Sequence, residues 1–452
     1  MKAKLIALAA LVASAAFGGP LDKAWIKGTT DKDPLTYKAG ETMVFTLTPQ
    51  GLDGELEAGA YFLRWKRTGD DGLTESGKVA FTQAPFVYKT SIAKPGFVRL
   101  LAEVVNAKGR LVLKQTKTSG KNPDGQVAAN RHERKPKKVF FDGGAAVQPE
   151  SLAGVPEPTD FDAFWKGQKE KLAAVPFKDS AEVKEVRKTK SCTVYQVKIP
   201  CAGPRPVTGH LTVPRAAEQG RKFPARITFD GYGGDISRWE KAPHDGPADE
   251  IRLHINAHGY ELGKDSDYYS QFAKSIRAGN RSYALAASEH QQPTGCYFEG
   301  MTFRVMRGLE YLKSRPEWNG KDLIASGGSQ GGLQTAWAAG LDPQVTRANP
   351  SVPWCCDMGG NATLGRNPKM WGVDWTPAMG YYDPVNMAKR VPKTCFVEIP
   401  RAGLGDYTCP PSGVAVYYNN LTCPKKIHWM QGSEHGYQPP DYEGRDFVRE
   451  AN

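Results

Sequence analysis

Outside its first residues the chain has no apolar run approaching the ~20 residues that a membrane-spanning helix needs, so no transmembrane segment is expected. It has no cysteine before Cys192, and all eight lie between Cys192 and Cys423, so the N-terminal region folds without disulfides. Export would permit bridges among the eight, but their pairing cannot be read from spacing. No C-x-x-C frame is present and Cys355-Cys356 is vicinal, which does not fit zinc-ligand spacing, so no metal is expected. No period of tens of residues repeats, which excludes a propeller or solenoid. The net charge is +12, but the basic residues are dispersed apart from "RHERKPKK" at 131–138, so a nucleic-acid partner is not expected.

What is present is a globular composition, 40% hydrophobic and 24% charged over 452 residues, enough for two or three domains. The opening "MKAKLIALAALVASAAFGG" joins a basic start to a short apolar stretch and small residues. That is the pattern of a secretory signal peptide spanning 1–19, so a secreted or periplasmic location is expected. Runs such as "ETMVFTLTP", "AYFLRWKRTG" and "FVRLLAEVVNAKGRLVL" carry β-branched and aromatic residues without a helical period. They predict an Ig-like β-sandwich over 20–115, followed by a polar linker over 116–142. From 143 to 452 the texture is that of an α/β domain. Thr159 or Asp160 can cap a helix bearing Phe161, Phe164, Trp165 and Leu172. Strand patterns at "CTVYQVKIP", "GHLTVP", "FPARITFDGYGG", "RSYALAAS", "DLIAS", "KTCFVEIPRAG" and "KKIHWMQG" alternate with helical ones. Such alternation predicts a doubly wound, mostly parallel sheet with helices on both faces, and a site beyond the carboxyl ends of its strands.

The chemistry concentrates at "DLIASGGSQGGLQTAWAAGL", where Gly327-Gly328-Ser329-Gln330-Gly331 fits G-x-S-x-G between a strand and a helix. A sharp turn there lifts a serine hydroxyl out of the sheet, and only small neighbours let strand and helix approach. The serine needs a base, and the base an orienting acid, supplied later in the chain. Only His428 and His435 follow it; His428 lies within a strand, whereas His435 lies in the loop "GSEHGYQPP". Asp406, just past the strand "KTCFVEIPRAG", is the acid, with Asp357, Asp374 and Asp383 as competitors better suited to caps or turns. The oxyanion hole requires two backbone N–H groups, assigned to Gln330 and to Tyr232 in the glycine-rich turn around Gly231, Gly233 and Gly234. Tyr232 and Trp354 are the expected walls of the substrate pocket. Trp65, Tyr61 and Tyr88 are candidates for sugar contact in the sandwich, though aromatics there are more often core. Because every element of the proposed hydrolytic site lies after residue 230, the N-terminal region is expected to be dispensable for hydrolysis of a small ester.

In order along the chain, "PTDFDAFW", "FDGYGG", "INAHG", "GGSQGG", "GLGDYTCPPSGVAVYYN" and "EHGY" resemble the acetyl xylan esterase / cephalosporin-C deacetylase family over roughly residues 143–450. The resemblance implies the α/β-hydrolase fold, Ser329 as nucleophile, Asp406 as acid, His435 as base, and backbone donors at Tyr232 and Gln330. It further implies a carboxylic ester hydrolase acting on an acetylated polysaccharide or oligosaccharide, without a cofactor. The family's Arg-Gly-Gln motif has no counterpart here; "YALAASEHQQPTG" stands in its place. The family is commonly hexameric and lacks an N-terminal sandwich, so that assembly is not carried over, and homo-oligomerisation stays open. Two alternatives remain: a prolyl-oligopeptidase-type serine peptidase, disfavoured by the missing repeats, and a non-catalytic carbohydrate-binding protein, disfavoured by the intact serine, acid and histidine.

Overall fold

The computed structural model describes residues 19–114, 137–233, 239–366, 372–442 and 446–452. Residues 1–18 of the expected signal peptide, most of the expected linker and Gly234 lie outside them.

In the N-terminal region, alternating apolar residues build two antiparallel sheets around one core. A three-stranded sheet holds Trp25–Thr30, Met43–Gln50 and Phe86–Thr90; a four-stranded sheet has the order Glu75–Ala80, Tyr61–Gly69, Gly96–Asn106, Phe140–Val147. Phe45, Leu47 and Tyr88 from the first meet Leu63, Leu100, Val104 and Phe141 from the second. Trp65 joins this cluster from its edge, with its ring 4.7 Å from Tyr88, so it packs as core and not as an outward platform. The sheet also corrects the boundary expected at 142/143. Phe140–Val147 pairs along Gly96–Asn106 and is buried on both faces, because it serves the small core with one face and the following domain with the other.

The second region is a ten-stranded sheet. Glu182–Lys188, Cys192–Ile199 and Val207–Pro214 form an antiparallel flank, Phe447–Ala451 forms an antiparallel edge, and the strands between them run parallel. Within the parallel part Ile251–Ile255 lies outside Phe223–Phe229, which itself adjoins Trp318–Gly328. The helices Tyr297–Ser314, Gln330–Leu341 and Pro411–Asn420 bury the face carrying Ile227, Leu253, Ala325, Ala348, Val397 and Ile427. The opposite face differs from the expected helical cover. Its residues Arg226, Thr228, Arg252, His254, Asn349, Glu398 and His428 stay partly exposed. They satisfy themselves through pairs such as Arg226–Glu250 at 2.8 Å and Arg347–Glu398 at 2.6 Å, so no apolar layer is needed there.

Two local expectations change. The helix Phe161–Ala173 starts after Asp160, but that carboxylate accepts the Tyr381 hydroxyl instead of capping the helix. "RSYALAAS" is a set of turns and not a strand: Ala284 has φ 60°, and the N–H groups of Ala284, Leu285 and Ala286 all donate to the Glu289 carboxylate. Three backbone donors held by one side chain cannot also serve a ladder. All eight cysteines are free thiols.

Candidate active site

Ser329 sits where Trp318–Gly328 ends and Gln330–Leu341 begins, with φ 59° and ψ −117°. A non-glycine residue held there is strained, and the strain is maintained by the junction's backbone bonds. Its N–H donates to Ser351 O at 3.0 Å, while its carbonyl accepts from Leu333 N and Trp354 N, each at 3.1 Å. The glycines follow from close approach: a Cβ on Gly331 would lie 2.5 Å from Phe229 O, and one on Gly327 would lie 2.6 Å from Gly331 O. Strand end, turn and helix start are in backbone contact, which no side chain permits.

Two further strand ends supply the partners. His435 Nε2 lies 3.0 Å from Ser329 Oγ, and His435 Nδ1 lies 2.9 Å from Asp406 Oδ2. Asp406 is buried, and its other oxygen accepts the N–H groups of Thr408 at 3.1 Å and Cys409 at 3.0 Å. The base loop is held by Arg401, whose Nη2 donates to the carbonyls of Glu434 at 2.9 Å and Tyr437 at 3.2 Å. Cys409 Sγ lies 3.7 Å from His435 Nδ1, but burial pushes its thiol well above the ordinary range, so it stays neutral there. Asp406, Cys409 and His435 have the donor atoms of a metal site, yet the carboxylate oxygens are engaged by imidazole and backbone N–H groups. The arrangement can remove a proton from a hydroxyl, hold the resulting imidazolium and return the proton to a leaving group.

The turn after Phe223–Phe229 lies beside the serine: a Cβ on Gly231 would be 3.9 Å from Ser329 Cβ. That brings the turn carrying Tyr232 close to Ser329. Tyr232 itself is fixed. Its ring stacks on Tyr283 at 4.5 Å and 9°, and its hydroxyl donates to Tyr283 O at 2.6 Å. Trp354 differs from its expected role as a pocket wall. It is fully buried with its ring edge-on to Tyr232 at 5.1 Å, so it backs that ring without reaching the solvent-facing pocket.

The competitors are placed elsewhere. Asp383 caps Pro384–Ala388, with Val385 N donating at 2.9 Å; Asp357 pairs with Arg366 and Asp374 with Arg281. His428 faces Asp446 at 3.3 Å on the partly exposed sheet face. Tyr283 is the functional candidate that the sequence reading missed. Its hydroxyl accepts from Gly233 N at 3.0 Å and donates to Gln330 Oε1 at 2.6 Å, tying the glycine-rich turn to the nucleophile helix. The available signal was its place in "YALAASEHQQPTG", the stretch standing where the family motif is absent.

A family model described as acetyl xylan esterase (AXE1) matches residues 152–369 and 373–448, starting just after the N-terminal sheets. The acetyl esterase Axe7A of Xylanibacter ruminicola is 29% identical over 287 residues, which is 62% of this chain and 63% of that relative. The chain thus spans just under two thirds of that relative's length. Among solved structures, an acetyl xylan esterase from Paenibacillus sp. R4 superposes with a TM-score of 0.51 at 23% identity, covering 66% of this chain and 96% of its own. Acetyl xylan esterase 1 from Thermoanaerobacterium sp. JW/SL YS485 gives 0.51 at 21%, covering 66% and 95%. These two likenesses establish the α/β-hydrolase-type fold of the second region. With more than half its residues matched by the family model and that fold around a serine elbow, the chain belongs to the acetyl xylan esterase family.

Proposed function

We propose that the protein is a secreted serine carboxylesterase that removes acetyl groups from xylan or xylo-oligosaccharides through an acetyl-serine intermediate. The observation that carries this reading is the unbroken hydrogen-bonded chain from Ser329 through His435 to buried Asp406, in a member of this family. His435 takes the Ser329 proton as the hydroxyl attacks the acetyl carbonyl, and Asp406 holds the imidazole in its productive tautomer. The N–H groups of Gln330 and Tyr232 stabilise the oxyanion, and His435 then protonates the departing sugar hydroxyl. Water, activated by His435, releases acetate from Ser329. The Tyr232 ring, held by Tyr283 and Trp354, is read as the wall that limits the acyl group to a short one, and the two N-terminal sheets are read as a β-sandwich module. The leader expected at 1–19 supports export.

The test is acetate release from acetylated xylan and acetylated xylo-oligosaccharides by the parent and Ser329→Ala. The variant should stay folded and lose at least three orders of magnitude in kcat, and brief incubation of the parent should yield an acetylated Ser329 peptide by mass spectrometry. Residual turnover within tenfold of the parent would place the nucleophile elsewhere. Cleavage of proline-containing peptides without acetate release would favour the peptidase reading.

A further inference from the structure

The outer face of the four-stranded N-terminal sheet lies against the two loops that carry the acid and the base. Along Phe140–Val147, the residues Phe141 and Ala145 point into the small core, so Phe140, Asp142 and Gly144 point the other way. Asp142 meets the acid loop through its backbone: a Cβ on Gly405 would be 2.0 Å from Asp142 O. Its carboxylate takes Arg99 in a fork, with Nε at 2.8 Å and Nη2 at 2.5 Å, and the Arg99 guanidinium lies 4.3 Å from the centre of the Tyr407 ring. Gly405 and Tyr407 flank Asp406, so both neighbours of the acid are held by this sheet. The base loop is held in the same way. Gln431 accepts from Gly144 N at 2.9 Å and donates to Gly144 O at 2.8 Å; Lys138 lies 3.6 Å from Glu434, and Phe140 packs on Tyr437 at 4.8 Å. His435 lies between Glu434 and Tyr437.

We infer that the N-terminal sheet belongs to the catalytic apparatus, with Arg99 and Asp142 as positioning residues that hold the acid loop while the same strand holds the base loop, and so fix the distance between Asp406 and His435. The inference rests on the proposed roles of Ser329, Asp406 and His435. It replaces the expectation that the region is dispensable, because the first residues beyond the sheet are the acid and base loops themselves. Acid, base and nucleophile stand on different loops, and a misplacement of about 1 Å can cost on the order of a hundredfold in rate. The two loops share one rigid support, a strand buried on both faces.

The test uses the full-length chain and a small aryl acetate, which needs no contact with the N-terminal region. Arg99→Ala should lower kcat by about 10- to 100-fold with KM within about twofold, and Arg99→Lys should recover only part of it, since an ammonium lacks the fork and the flat stacking surface. Two controls separate positioning from plain stability. Lys78→Ala removes an exposed cation from the edge strand of the same sheet, and Phe45→Leu loosens the small core from the three-stranded sheet, which supplies none of the loop contacts above. Both should keep kcat within about twofold of the parent. If Arg99→Ala fails to fold, Gln431→Glu, which sets a carboxylate against Gly144 O, is judged by the same criterion. A folded Arg99→Ala with parental kcat overturns the inference, as does an equal kcat loss in Phe45→Leu. Because Ser329→Ala is measured separately, retained activity there would bring down the proposed triad, whereas loss there with parental Arg99→Ala sinks only the positioning role.

Discussion

Replacing Tyr283 by Phe removes one oxygen atom and leaves the aromatic packing intact, including the 4.5 Å stack on Tyr232 and the 4.7 Å contact with Tyr297. Burial pushes the Tyr283 phenol well above its ordinary range, so the hydroxyl remains protonated and donates to Gln330 at any working pH. Its loss strips Gly233 N–H of an acceptor at 3.0 Å and Gln330 Oε1 of a donor at 2.6 Å. Gln330 Oε1 is buried and costs ~1–3 kcal/mol when it is left without a donor, whereas the N–H of exposed Gly233 can turn to water, so unfolding stability should fall by about 1–3 kcal/mol. The kinetic effect is separable from that loss. Gly233 directly follows Tyr232, whose N–H is assigned to the oxyanion, and deleting one oxyanion donor outright costs roughly a hundredfold to a thousandfold in kcat. Loosening its turn should cost less, about 10- to 100-fold, with KM nearly unchanged because the donor matters most when charge develops on the carbonyl oxygen. Steady-state kinetics on an aryl acetate, with urea unfolding of the same preparation, measure both quantities. Stability loss with parental kcat would reduce the hydroxyl to a structural tie, and a proportional rise in KM would show that it supports ground-state binding; either result refutes the reasoning.

Gly331→Ala forces a Cβ to within 2.5 Å of Phe229 O, so the nucleophile helix must move off the strand; we expect ~1–3 kcal/mol of destabilisation and at least a tenfold fall in kcat/KM. Parental kinetics in that variant would contradict the close-approach account of the elbow. Because the Tyr232 ring is pinned by Tyr283 and Trp354, kcat/KM should fall by roughly one to two orders of magnitude from acetyl to octanoyl aryl esters, and Tyr232→Ala should narrow the gap for butyryl. A rise from acetyl to octanoyl in the parent would overturn the deacetylase reading. Burial lowers His210 to about 4 and His258 to about 3, so both fold as neutral rings. The unfolded chain binds these protons from about pH 6.5 downward, so the stability each contributes is complete above that pH and is lost as pH falls toward the folded value. The raised carboxyl of Asp383, at about 7, acts in the opposite sense, so His210→Gln isolates one term. Its stability deficit relative to the parent should shrink by roughly 2 kcal/mol between pH 7 and 4.5 in urea titrations, and a constant deficit would mean that His210 is not buried neutral.

The three residues proposed as nucleophile, base and acid were legible in the sequence because each is announced by local pattern. Ser329 stands among glycines between an apolar strand and an alanine-rich helix, and His435 and Asp406 each follow a strand in a polar loop. These are short-range signals, and the chemistry of the elbow demands them. Family membership is legible for the same reason, since the motifs that carry it are the loops around these residues. Tertiary structure decided what depends on contacts distant along the chain. Trp354 reads as a pocket wall from its position after a strand, but packing behind Tyr232 hides it completely. "RSYALAAS" has the composition of a strand, yet the Glu289 carboxylate captures three of its N–H groups and turns it into the loop that presents Tyr283. Phe140–Val147 straddles the boundary expected between linker and α/β domain. Its glycines and single aspartate show no strand alternation, because the strand is covered on both faces and no solvent side imposes one. For that same reason a segment nearly 190 residues before Ser329 comes to support the acid and base loops: two surfaces must be buried at once, and only the folded chain brings the second one to it.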